Sequence, residues 1–442
     1  MKKIIALLLC LLMIVGMVAC ATNTDNNDQT DGSQDTTPAT ENSDSSDDTN
    51  GNDGDVVTIT YSYWGTPDEA ASVQAVADKF HEEYPNIKVE VMAIPNEEYV
   101  TKLNTMATAG ELPDCGIMNE SGVLDFASDG LLYDISAMYE GADSMPLDSI
   151  TFKSEGKPVA YSAANEVLSL YYNKDMFDKY GIEIPKTLDE LKSAMQKFVD
   201  NGVTPLSEGA AEYPLQHLWW QLVLSKANDK FVKAYEMYDG DVDWQGEAPT
   251  YATQTIKDWV DKGYISKDCT GIKAEDAGQS FMNGTYPMFF SGTWWFGRFQ
   301  SDMKNANWTF STFPNTDKVV GSSGNIWVIP ENSKKKDLAA QFIDITLSDE
   351  VQNLMGNSGG LPIAADPDKI TDEKTKELIT SFNSVLEKNA LGFYPDWPTS
   401  TFYDELNSAL QELVNGTADV KDVLKQLESN YNKGVEAAGV KS

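Results

Sequence analysis

The sequence predicts an α/β fold for residues 56–442, divided between two domains. Strand-like runs with alternating apolar residues trade places along the chain with runs of helical spacing, the pattern of layered sheet and helix. The segment is too long for one ordinary core and suits two. Hydrophobic residues make up 41% of the sequence and aromatic residues 10%, enough to fill both.

The chain opens with Lys2 and Lys3, an apolar run over 4–15, then Met17-Val18-Ala19-Cys20. A basic start, a short apolar stretch and small residues before a cleavage point predict a secretory leader over 1–19. The run is too short to cross a bilayer stably. Residues 21–55 hold ten acids, no Lys or Arg, and two alanines as their only aliphatic side chains. Such a stretch buries too little apolar surface to offset its ordering entropy, so residues 20–55 are expected to be a disordered acidic spacer. The small residues ending at Cys20 resemble the lipobox of bacterial lipoproteins. That resemblance implies cleavage before Cys20 and a diacylglycerol thioether on its sulfur.

Strand character begins at 56–63. Thr66, Pro67 and Glu69 then have the layout of a capping box with proline at the first helical position, followed by Val73, Val76, Ala77, Phe80 and Tyr84 at helical spacing, with Pro85 as the stop. Ile87, Val89, Val91 and Ala93 alternate as a strand. A helix is expected over 97–109, stopped by Gly110. Cys115–Met118 reads as a short buried strand. Thr187 and Glu190 repeat the capping box ahead of Leu191, Met195 and Phe198, and 401–431 reads as helical.

Net charge is −36; setting aside two leader lysines and ten spacer acids leaves −28 on residues 56–442. That balance argues against nucleic acid and against direct docking on anionic lipid. Cys10 leaves with the leader, and Cys115 and Cys269 are too few for a disulfide scaffold. His81 and His217 lie far apart, and no Cys/His cluster has metal-ligand spacing, so neither metal nor cofactor is expected. Arg298 is the sole arginine. Receptors for carboxylates or phosphates often use bidentate guanidinium, which argues against such ligands. Ten tryptophans with scattered Asp, Glu and Asn suit a neutral, hydroxyl-rich ligand instead.

Several motifs in order resemble the carbohydrate-binding, maltodextrin-binding-protein-like family of extracellular solute-binding proteins from bacterial ABC importers. They are Tyr61-Ser62-Tyr63-Trp64-Gly65, Tyr84-Pro85-Asn86-Ile87, Gly110-Glu111-Leu112-Pro113-Asp114, the run from Glu166 to Phe177, Ser291-Gly292-Thr293-Trp294 and Gly359-Gly360-Leu361-Pro362. The resemblance covers 56 to about 430. It implies a periplasmic-binding-protein-like fold, with two α/β lobes, a hinge and an interlobe cleft. Chain crossings are expected near 161–166, 288–291 and 324–328. The first lobe would then take 56–163 and 288–325, the second 164–287 and 326–442, with Cys115 and Cys269 apart. The implied activity is hinge closure on a sugar, then delivery to the permease subunits. The protein would be a monomer on the outer face of the cytoplasmic membrane, held by lipid alone. A polyamine or other small cation is the alternative ligand, given the acidic balance. A surface glycoside hydrolase is more remote: Glu120 and Glu166 supply two carboxylates, but no nucleophile motif accompanies them, and no enzyme is expected.

The same resemblance nominates ligand residues. Trp64 sits on the loop after the first strand, and such strand-end loops face clefts. Asn119 and Glu120 follow the buried strand, where the family places sugar-binding polar groups; Asn119 suits a helix cap equally well. Glu166 sits in the hinge, and its carboxylate suits adjacent hydroxyls. Trp219 and Trp220 lie at a stacking position; one is expected in the core, with Trp220 preferred for stacking. His217 reads as structural. Trp294 is the expected stacking platform. Trp397, Phe402 and Tyr403 offer a late aromatic wall, although the family favours Trp where Phe402 stands. The remaining tryptophans are assigned to packing or surface.

Overall fold

The computed structural model describes residues 56–65, 67, 70–136, 151–154, 157–236, 242–314, 318–387, 391–392 and 401–437. The expected leader, Cys20, the spacer and Trp397 lie outside the described residues, as does the side chain of Glu120.

The first half of the sheet follows the alternation in the sequence. β1 (Val57–Trp64), β2 (Ile87–Ile94) and β3 (Cys115–Met118) are parallel, with β1 in the middle. Helices Ala71–Glu83 and Asn96–Ala109 make the crossovers. The first buries Val73, Val76, Ala77 and Phe80, an i, i+3, i+4, i+7 stripe. It begins at Ala71 without a side-chain cap, and Pro67 lies in a turn before it. The expected start at Thr66–Pro67 is therefore displaced, with Thr66 and Glu69 outside the described residues. The second helix stops at Gly110, whose φ of 72° is the left-handed cap expected of glycine. The box at Thr187 forms: Thr187 accepts from Glu190 N–H, and the Glu190 carboxylate accepts from Thr187 N–H.

β4 (Thr151–Ser154) leads to β5 (Lys157–Asn173), the strand that joins the halves. Its 17 residues span about 55 Å at strand rise, longer than one compact core needs. β6 (Leu206–Ser207), β7 (Met288–Gly292), β8 (Trp308–Ser311), β9 (Val319–Val328) and β10 (Leu391–Gly392) complete the sheet. Its order is β2-β1-β3-β9-β5-β7-β6, with β4 and β8 on β5 and β10 on β9. β5 pairs with β9 from Ala160 to Val167, then with β7 from Leu168 to Tyr172. The change of partner at 167–168 follows the passage between cores, with Ala164 in the first and Val167 in another.

The cores follow this division. Ile59, Tyr61, Phe80, Ile117 and Tyr161 share one with Trp327, Phe342, Val351 and Met355. Leu168, Trp219, Trp220, Trp244, Leu406 and Leu410 share another, and Tyr171, Phe289, Phe299 and Leu378 a third. β5 and β9, where two crossings were expected, each contribute to cores of both halves. β7, where the third was expected at 288–291, does not. β7 lies between β5 and β6 and sends Met288 and Phe290 into one core and Phe289 into another. A strand covered on both faces is interior to its lobe. The chain returns instead at 359–362: Asn165 N–H donates to Leu361 O at 2.6 Å, and Ala164 bridges Pro362. Consequently 288–313 pack with the second-half cores, and 326–355 with the first core, the reverse of the expected assignment. Cys115 and Cys269 are free, buried and in different cores. The C-terminal helical region is two helices, Thr401–Asn415 and Val420–Ala437, parted at Gly416 with φ 73°.

Candidate functional site

A cavity of about 160 Å³ lies where β5, the 359–362 return and both halves meet. Tyr63 and Ser72 line it from the first half, Asn165 and Glu166 from the hinge, and Trp294 and Arg298 from the second. Asn165 and Glu166 stand mid-strand in β5; the others come from a strand end or a helix beginning, the places that face clefts in α/β lobes.

Trp294 is held by the turn that ends β7. A Cβ built on Gly292 would fall 1.7 Å from its ring, so only glycine lets the indole lie over the backbone there. Tyr213 and His217 meet the ring edge-on at 5.8 Å each, and Trp294 Nε1–H donates to Tyr213 Oη at 3.2 Å. Tyr213 in turn lies against His217, ring centroids 4.8 Å apart and the planes tilted by 32°. Burial pushes the His217 imidazole down to about 3, so it is neutral at ordinary pH. The Trp294 wall is thus an uncharged aromatic group, half-buried and open to the cavity.

Arg298 is committed elsewhere. Its guanidinium makes two hydrogen bonds to the Glu275 carboxylate, at 2.5 and 2.6 Å, and lies 5.0 Å over the Trp295 ring. Its charge is neutralised in place, which leaves Glu166 as the carboxylate lining the cavity. The arrangement offers an aromatic face, a hinge carboxylate and amide and hydroxyl groups: recognition chemistry for a neutral polyol.

Of the residues expected from the sequence, the structure brings Glu166 and Trp294 to one cavity. Tyr403 is half-buried beside Tyr213 and Gln216, behind the Trp294 wall. Trp64 is half-buried with its ring edge-on to Tyr99 at 5.5 Å, and its neighbour Tyr63 lines the cavity instead. Asn119 caps helix Glu120–Ser128, accepting from Gly122 N–H at 3.0 Å, and is exposed. Trp219 and Trp220 are both fully buried, so neither stacks on ligand in this conformation. Trp219 Nε1–H donates to Thr253 Oγ1 at 2.9 Å, and Trp220 packs on Trp219 and Tyr235. Their helix, Pro214–Leu224, is buried on every side, so no face was left for ligand. Phe402 is fully buried against Trp244. Tyr213 was missed, although Pro214 at a helix start signals a terminus that can face a cleft. Tyr63, Ser72 and Asn165 carry no such signal.

The model of the family of bacterial extracellular solute-binding proteins matches residues 64–353. A probable sugar-binding periplasmic protein of Mesorhizobium japonicum is 27% identical over 343 residues, 74% of this chain and 81% of that protein. A maltooligosaccharide ABC transporter solute-binding lipoprotein of Streptococcus pneumoniae is 21% identical over 350 residues, 78% of this chain and 81% of that protein. Among solved structures, maltose-bound MalE3 of T. maritima superposes with a TM-score of 0.71 at 21% identity, covering 85% of this chain and 99% of that one. The fold, the interlobe cavity and the matched span agree: the chain belongs to the bacterial extracellular solute-binding proteins.

Proposed function

We propose that this protein captures a neutral sugar or oligosaccharide between its lobes and hands it to the permease of an ABC importer, without converting it. The observation that carries the reading is Trp294, presented to the interlobe cavity by Gly292 and braced by Tyr213, with Glu166 opposite at the hinge. A flat sugar face gains dispersion and leaves water against such a ring. The sugar-binding relatives support the same class. The lobes we assign are 56–164 with 324–360, and 165–323 with 361–437, following the cores and the return at 359–362. A thermal-shift screen of residues 56–442 against mono- and oligosaccharides tests the reading. Ligand at a hundredfold over its dissociation constant adds about 2.7 kcal/mol of stability, and a screen without a single shift defeats it. Small-angle scattering with the same saccharide should show a smaller radius of gyration if the lobes close.

The location belongs to the same proposal. Cys20 carries the lipid, and the spacer tethers the body outside the cytoplasmic membrane. The lipoprotein relative supports this, and among the described residues no helix is long and apolar enough to cross a membrane. Cys20→Ser should release the protein into the medium or leave an uncleaved precursor. Normal processing with membrane retention would contradict the anchor.

A further inference from the structure

One turn of the second lobe gathers buried polar groups that the cavity does not account for. β6 runs parallel to β7, with Ser207 opposite Phe289, so its C-terminal end points the same way as the Gly292 turn that presents Trp294. At that end stands Glu208, 3% exposed, with neither carboxyl oxygen hydrogen-bonded. Leu215 N–H donates to Gly209 O at 3.0 Å, so Glu208 and Gln216 flank one hydrogen-bonded pair. Gln216 is fully buried, and its side-chain amide approaches the Tyr403 hydroxyl without a well-formed hydrogen bond. Gln411 Nε2–H donates to Ala210 O at 2.6 Å, which places Asn407, one helical turn earlier, against the same turn. Asn407 is 7% exposed, and its Oδ1 is a further atom without a partner.

Buried polar groups are almost always satisfied, and each orphan costs free energy. Several in one place mark a site shaped for something that brings hydrogen bonds with it. Burial raises the Glu208 carboxyl well above its ordinary range, which favours the neutral acid, a form that can donate as well as accept. Gln216 lies beside the Tyr403 hydroxyl, and Tyr403 is near Tyr213, the brace of Trp294. Through Tyr403 and Tyr213 these groups connect to the Trp294 wall.

We propose that Glu208, Gln216 and Asn407 form a polar recess in the second lobe that receives the hydroxyl groups at one end of a saccharide whose ring stacks on Trp294. This rests on the sugar-capture reading above and adds a specificity-determining site to it. A neutral acid and two amides match hydroxyls, which donate and accept, and discriminate against analogues lacking them.

The test uses maltose, maltotriose, raffinose and stachyose, with calorimetry on whichever gives the largest thermal shift. Glu208→Leu and Asn407→Leu should weaken that saccharide at least tenfold. The melting temperature of the unliganded variants should be unchanged or higher, because apolar groups of similar size remove the orphans. Glu208→Gln should stay within about threefold of the parent. Gln216→Met supplies the same reading if Glu208→Leu fails to fold. Parent-like affinity in the leucine variants would reduce the recess to a buried water pocket and overturn the proposal. So would losses that track a lowered melting temperature, which mean a structural role. If no saccharide shifts the parent protein, sugar capture itself has failed, an outcome distinct from unaltered variants of a binding parent.

Discussion

Trp294→Ala is the substitution whose magnitude the structure fixes best. One face of the indole lies over Gly292, and its edges meet Tyr213 and His217, so the remaining face borders the interlobe cavity. Large aromatic side chains bury about 150–250 Å² in full, so one face offers about 100 Å² to a sugar ring. At about 25 cal/mol per Å² the stacking contributes about 2.5 kcal/mol, or about 70-fold in dissociation constant. The Tyr213 hydroxyl also loses the Nε1–H donor it now accepts from, which adds to the loss. Isothermal calorimetry at one salt concentration, with a saccharide chosen by the thermal-shift screen, measures the change. Gly292→Ala provides an independent perturbation. Its methyl group would occupy the position of the ring, so the indole must leave its present place, and affinity should fall similarly with Trp294 still in the chain. A loss below threefold in both variants would refute the assignment of Trp294 as the stacking platform.

Glu166→Gln separates neutral from cationic ligands. With a sugar, the loss should be smaller than for Trp294→Ala, since the amide still accepts a hydroxyl; with a polyamine it should be larger, about 2–5 kcal/mol, and grow as salt falls. Trp220→Ala should destabilise the protein by about 3–5 kcal/mol in chemical denaturation, as expected of a fully buried Trp, while a variant that still folds keeps its saccharide affinity. His217 couples stability to pH. Its imidazole titrates near 3 when folded and near 6.5 when unfolded, so the unfolded chain binds the extra proton between those values. Stability present above pH 6.5 should drain away toward pH 3, with a slope approaching about 1.4 kcal/mol per pH unit, and His217→Gln should flatten that slope in denaturation series at several pH values.

The local elements and the α/β class were legible in the amino-acid sequence. Alternation over 87–94, the Gly110 stop, the Thr187 box and the stripe at Val73, Val76, Ala77 and Phe80 are all made within a few residues of chain, and they stand in the structure as read. Glu166 and Trp294 were legible because each sits in a short motif whose neighbours shape its backbone, Gly292 above all. Tertiary structure alone decided which aromatics face the cavity. Trp220 and Trp294 are equally apolar in sequence, but the helix carrying Trp220 is wrapped by other elements on every face, and the turn carrying Trp294 ends at the open side of β7. It also decided the third crossing. The 288–291 segment and the 359–362 segment are both short and punctuated by glycine, and only the partners on each side, β5 and β6 for one and Ala164 for the other, separate an interior strand from a hinge. Those partners lie far away along the chain. Burial is a property of what covers a residue from outside its own segment, and periodicity within the segment does not encode it.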